Sequence, residues 1–275
     1  MENNWLRRPR TWVELFVLLN LGGLAPDIFL AHSVNAFHLR AEYTPLIFSL
    51  LAPALLLPAL WALAKGRLAL WRWLGFIVGG TAVLIGITGL VLHLQSQFFQ
   101  QWTLASLVYA APFAAPLAYT GLGSLLIMNR MVADKETEWA QWVIFFALGG
   151  FVGNFIFTLT DHAQNGFFRR TEWIPVISSA VAVGFLIMPL MVKVDRLFLR
   201  LCGWVMLGQV AVGALGFTFH ALADWHNVGE DLFHRIVHGA PIFAPTLFCD
   251  LAVLAGIGLW VIGRKLNPHK DSHRQ

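Results

Sequence analysis

The sequence predicts an all-α integral membrane protein with eight transmembrane helices, built as two four-helix units related by a pseudo-twofold axis. Three observations carry that expectation: a charge-poor composition, eight apolar runs of spanning length, and an internal repeat at an offset of about 130 residues. Of the 275 residues 57% are hydrophobic and 12% charged, and the mean hydropathy is +0.65. Soluble domains carry about 25% charged residues, so lipid is the solvent this composition suits. A helix of roughly 20 apolar residues crosses a hydrocarbon core while satisfying its own backbone groups. The short alternating segments of a β-barrel are absent from the sequence.

Taken in order, the runs fall at 12–32, 45–64, 71–93, 108–129, 139–161, 174–192, 197–220 and 239–263. The first is long, contains Asp27 and lacks a small-residue cleavage site, so it reads as a retained helix rather than a signal peptide. The second follows Arg40, Glu42 and Pro45 and carries Pro53 and Pro58; the third holds Gly86-x-x-Gly89-x-x-x-His93. The fourth opens through Pro112 and Pro116, and the fifth ends at Asp161 and His162. The sixth follows Arg170, Glu172 and Pro175. The seventh repeats the glycine stripe as Gly213, Gly216 and His220, and the eighth opens through Pro241 and Pro245 and contains Asp250.

With the N-terminus inside, fifteen of the nineteen Lys and Arg residues fall on the inner segments, leaving only Arg40, Arg169, Arg170 and Arg235 outside. The positive-inside rule therefore predicts cytoplasmic termini in a bacterial inner (plasma) membrane. This topology accounts for the net charge of +4 without a nucleic-acid partner. Most of the tryptophans, among them Trp5, Trp12, Trp71, Trp73, Trp102, Trp139, Trp142, Trp173 and Trp225, lie near expected boundaries, as an aromatic belt would. Cys202 and Cys249 form no CxxC or CxxCH, which argues against a disulfide framework and covalent haem.

The repeat is direct. Residues 162–179 (HAQNGFFRRTEWIPVISS) match 32–49 (HSVNAFHLRAEYTPLIFS) at eight of eighteen positions, and 237–251 match 108–122 at six of fifteen. The expected units are 1–133 and 134–265, followed by a basic cytoplasmic tail at 266–275. An even number of helices per unit gives both halves one orientation. His32, His93, His162 and His220 each close an odd-numbered run, and each is followed five residues on by Phe37, Phe98, Phe167 or Trp225. A plainer reading stands beside this. An Arg-Glu-Pro sequence also suits a helix start, where proline and a carboxylate are both favoured, and paired glycines suit close helix packing.

Eight of the ten histidines fall on the outer side: His32, His38, His93, His162, His220, His226, His234 and His238. His269 and His273 lie in the tail. Two cofactor sets follow. His32, His93, His162 and His220 offer axial ligands for a b-type haem, with His32 facing His162 or His93 facing His220 and glycine stripes accommodating the flat macrocycle. Alternatively, helical spacing over 229–238 aligns Glu230, His234 and His238, while His220 and Asp224 stand one turn apart. Together these five predict a divalent metal site for zinc, iron or copper, although H-E-x-x-H is absent.

The leading expectation is metal or haem binding at the outer face for redox or metal handling, with the lipid bilayer and other membrane or periplasmic redox subunits as partners. A transporter is the second, resting on Asp27, Asp161 and Asp250, because charge inside a membrane costs about 2.5–3.5 kcal/mol on insertion scales. A scaffold subunit of a membrane complex is the third. Nucleophile elbows, P-loops and dinucleotide fingerprints are absent from the sequence.

Overall fold

The computed structural model describes residues 8–132, 137–229 and 231–266. Trp5, Arg7, Lys135, Glu230, His269, Lys270, His273 and Arg274 lie outside the described residues. Among the described residues all regular structure is helical: α1 (Pro9–Ser33), α2 (Tyr43–Ala64), α3 (Leu68–Gln95), α4 (Phe98–Gln101), α5 (Leu104–Val108), α6 (Leu117–Met131), α7 (Thr137–Gln164), α8 (Trp173–Met191), α9 (Arg196–His226), α10 (Leu232–Val237) and α11 (Thr246–Lys265). Single 3-10 turns at Arg40–Glu42 and Arg170–Glu172 lead into α2 and α8.

Seven of these helices are long and apolar enough to cross a membrane. The run at 108–129 departs from its expected length. Only the 15 residues of α6 are helical there, short of the roughly 20 a span needs. The cause is local: Pro112 and Pro116 lack the N–H that would extend the helix backward, and Pro116 becomes the cap residue of α6. Pro245 caps α11 in the same way, so the last span starts at Thr246 rather than at 239.

The long helices pack as two rings of four neighbours. In one, α1 touches α2, α2 touches α3, α3 touches α6 and α6 returns to α1; in the other the order is α7, α8, α9, α11 and back to α7. The rings meet through α1 on α11 and α6 on α7. One apolar core runs through both, from Val17 and Leu21 to Phe151, Leu186 and Phe248. Large apolar side chains also face outward along the spans, with Leu84 68% and Trp204 70% exposed. An outer surface of that kind matches a bilayer.

The glycine stripes serve this packing. A Cβ on Gly86 would lie 2.9 Å from the Pro116 carbonyl oxygen, and one on Gly213 would lie 2.9 Å from that of Pro245. Gly89 and Gly216 meet the rings of the same two prolines. Helix starts occupy the flat surfaces that the haem expectation reserved for a macrocycle. Small residues let backbones approach, which is their usual role in lipid. The tryptophan belt also needs correction. Trp71 and Trp139 are fully buried, whereas Trp102 and Trp225 are exposed as expected.

Candidate functional site

The loops after α1 and α7 close in one manner. The Phe37 N–H reaches back to the His32 carbonyl, and the Phe167 N–H to that of His162, each at 3.1 Å. Phe37 and Phe167 both take positive φ to make this turn. Such a reversal satisfies the orphan carbonyls of a helix end, which explains the five-residue His-to-aromatic spacing. Phe37 stacks on Tyr43 and Phe167 on Trp173, so each turn is pinned to the next helix. The 3-10 turn then delivers Glu42 and Glu172 back toward the histidines, with carboxylate Oε2 3.9 Å from Nδ1 of His32 and of His162. Asn35 donates to the other oxygen of Glu42 at 2.9 Å. In both glutamates Oε2 is buried and has no hydrogen-bond partner.

His93 and His220 are held differently. Nδ1 of His93 lies 2.9 Å from the Pro112 carbonyl oxygen, and Nδ1 of His220 lies 2.9 Å from that of Pro241. A carbonyl can only accept, so Nδ1 carries the proton and the neutral ring keeps its lone pair on Nε2. Metal-binding histidines are commonly held this way, one ring nitrogen donating to a carbonyl and the other left free.

The pairing runs within each ring of helices. His32 and His93 stand edge to face with ring centroids 6.3 Å apart. His162 and His220 lie within electrostatic range of each other and of Asp161. The expected His32–His162 and His93–His220 pairings are not the ones formed. His220 is also not the end of its helix, since α9 continues to His226.

Asp161, His162 and His220 line a recess of about 60 Å³ between α7, α8, α9 and α11. Thr158 and Thr171 add hydroxyls, and Phe157, Phe219 and Phe248 supply apolar wall. Asp161 and Phe157 border a second, smaller recess of about 10 Å³ beside α5. The site is therefore mostly apolar with a few convergent polar groups, and its size suits water or a single ion.

Four of the five residues expected to form the metal cluster are described, and they do not stand together as a ligand set. Asp224 is buried and its Oδ1 accepts the Ala240 N–H at 2.7 Å, so it clamps the α9–α11 connection. His234 and His238 stand together, ring centroids 4.5 Å apart, on the exposed side of α10 and its C-cap. Helix α10 has only six residues and starts at Leu232, with Asp231 as its N-cap; Glu230 is outside the described residues. Among the described residues no group of three or more His, Cys, Asp or Glu side chains is placed to hold a metal ion.

Of the transport carboxylates, Asp250 sits in the second turn of α11, not mid-span, because that helix starts late. Asp27 lies near the end of α1, within electrostatic range of the Tyr119 phenol, which donates to the Pro45 carbonyl at 2.9 Å and pairs with the Ser49 hydroxyl. Only Asp161 faces the larger recess.

Sequence reasoning missed two features. One is a buried polar network at the opposite end: Arg130 on α6 pairs with Glu14 on α1 and donates to the Trp71 carbonyl, while Asn129 bridges Glu14 and the Trp139 indole. The other is Asn154 on α7, 1% exposed, with neither amide atom hydrogen-bonded. Both had a signal available: a polar residue inside an apolar run.

No protein-family model, curated protein or solved structure matches the chain.

Proposed function

We propose that this is a multi-pass membrane protein of two duplicated four-helix units which binds a transition-metal ion, or haem iron, through paired imidazoles at its extracytoplasmic end. The work done there is redox chemistry or metal handling. In this reading the short α6 and the irregular chain before it complete an eighth crossing, and both termini are cytoplasmic in the inner membrane. The carrying observation is that His93 and His220 each donate Nδ1–H to a loop carbonyl, leaving Nε2 as a ready ligand beside a second histidine. Imidazole suits zinc, copper and iron, and two imidazoles suffice for a b-type haem. The second pair shares its recess with the Asp161 carboxylate.

The test is the visible spectrum and metal content of the full chain purified in detergent. Zinc, copper, iron or haem bound in stoichiometric amount is expected, and loss of it in His162→Ala/His220→Ala ties it to the recess. A colourless, metal-free preparation that stays so after reconstitution overturns the reading.

Transport has one specific support, which is Asp161 lining the recess rather than Asp27 or Asp250. Asp161→Asn should then abolish ion-coupled uptake in proteoliposomes, while unchanged flux rejects this second reading.

A further inference from the structure

All four paired histidines turn Nδ1 toward an acceptor. For His93 and His220 it is a proline carbonyl, and for His32 and His162 it is the carboxylate of Glu42 or Glu172. Each glutamate comes off a 3-10 turn that the repeat builds twice. Its side chain is only 10% exposed, and its buried Oε2 has no hydrogen-bond partner although the imidazole nitrogen is 3.9 Å away. That gap is about 1 Å longer than a hydrogen bond. A buried carboxylate oxygen left unpaired is unfavourable. The same open contact at two repeat-related places points to a ligand-bound state that closes it.

We infer that Glu42 and Glu172 are positioning residues for two metal sites, one in each ring of helices. Each carboxylate accepts from Nδ1–H of its own histidine and so aims Nε2 at an ion shared with His93 or His220. This rests on the imidazole reading above, and adds to it the number of ions and the groups that orient the second ligand. With metal–nitrogen bonds of about 2 Å, imidazole centres up to about 6.5 Å apart can reach one ion. Those of His32 and His93 are 6.3 Å apart. In the other ring His162 and His220 border the same recess of about 60 Å³, which has room for an ion with a little water. A ligating histidine commonly passes its other N–H to a carboxylate, which fixes the ring and raises its basicity. The ion in turn sets positive charge one imidazole away from the buried carboxylate, where attraction is weakly screened. The two sites are unequal. Asp161 adjoins His162 and lines its recess, whereas the repeat places Ala31 before His32. The second ring therefore fills first.

Zn(II) and Co(II) are the probes, titrated into metal-stripped full chain in detergent. Calorimetry should count two Zn(II) per chain, the tighter one lost in His162→Ala/His220→Ala and the weaker one in His32→Ala/His93→Ala. Glu172→Gln and Glu42→Gln should each weaken their own site about tenfold to a hundredfold, the range for removal of an orienting partner. Each should also shift the visible Co(II) band of that site and leave the other site alone. Should either variant melt lower without metal, the band decides: a shifted one supports the inference and an unshifted one overturns it. Wild-type affinity in both Gln variants, or one ion per chain that only His162→Ala/His220→Ala removes, overturns the inference and leaves the imidazole reading standing. Wild-type protein that takes up neither metal overturns both.

Discussion

Arg130 and Glu14 form a buried ion pair that ties α6 to α1, with both side chains almost wholly removed from solvent. The guanidinium also donates to the Trp71 carbonyl at 3.0 Å and lies 4.1 Å from the centroid of that indole. Gly75 makes room for it, since a Cβ there would fall within the guanidinium. Asn129 donates to Glu14 at 2.6 Å and accepts from the Trp139 indole at 3.0 Å, which brings α7 into the same network. Four helices are thus joined by one polar network, in which the Trp71 indole N–H alone among the named groups lacks a hydrogen-bond partner. Such a network specifies a unique arrangement where apolar packing alone permits sliding.

Removing one partner leaves the other charge buried and unpaired, which costs about 3–5 kcal/mol. Glu14→Ala and Arg130→Ala should therefore each lower the melting point in detergent sharply. The pair Glu14→Leu/Arg130→Met should lose much less, because no charge is stranded. Tryptophan fluorescence reports the change directly, since Trp71 and Trp139 both sit in the network. Equal losses in single and double variants would show that side-chain shape, not charge pairing, governs the site.

Asp224 clamps the connection between α9 and α11. Its Oδ1 accepts from Ala240, and a Cβ added to Gly239 would stand 2.1 Å from that oxygen. Asp224→Asn keeps the acceptor and should leave metal content as in wild type. Asp224→Ala strands the Ala240 N–H and should cost about 1–3 kcal/mol. Thermal melts and metal analysis of the two variants separate the roles: metal lost in Asp224→Asn at unchanged stability would restore Asp224 as a ligand.

Gly86 and Gly213 fix how closely α6 and α11 approach their neighbours. Gly86→Ala and Gly213→Ala each place a methyl group against proline carbonyls and adjoining side chains. Overpacking of this kind costs about 1–3 kcal/mol. Gly80→Ala, where a Cβ meets nothing within 4 Å, should be neutral or slightly stabilising. A neutral result at Gly86 would mean that the start of α6 shifts freely, and the alignment of His93 with Pro112 would then need another support.

Much of the fold was legible because membrane helices are read from local quantities. Length and hydropathy located seven spans, and the repeat foretold that His32 and His162 would end their helices in matching turns. The fourth run yields a shorter helix than expected for a local reason as well, since Pro112 and Pro116 confine the helix to α6 within a run whose hydropathy suggested more. The candidate site was less legible. That His220 pairs with His162, that Asp224 turns away to a backbone N–H, and that Arg130 is a core residue rather than a topology charge all depend on neighbours far apart in the chain. Periodicity carries no term for such neighbours.

The amino-acid sequence alone determined that the chain is helical, apolar enough for lipid, and carries histidines in the last turns of four helices, because each is a property of single residues and their spacing. Tertiary structure decided which histidines face one another, which polar groups are already satisfied and which are left open, as Asn154 is. Those outcomes follow from helix packing, where an ångström of approach at Gly86 or Gly213 settles which side chains can meet.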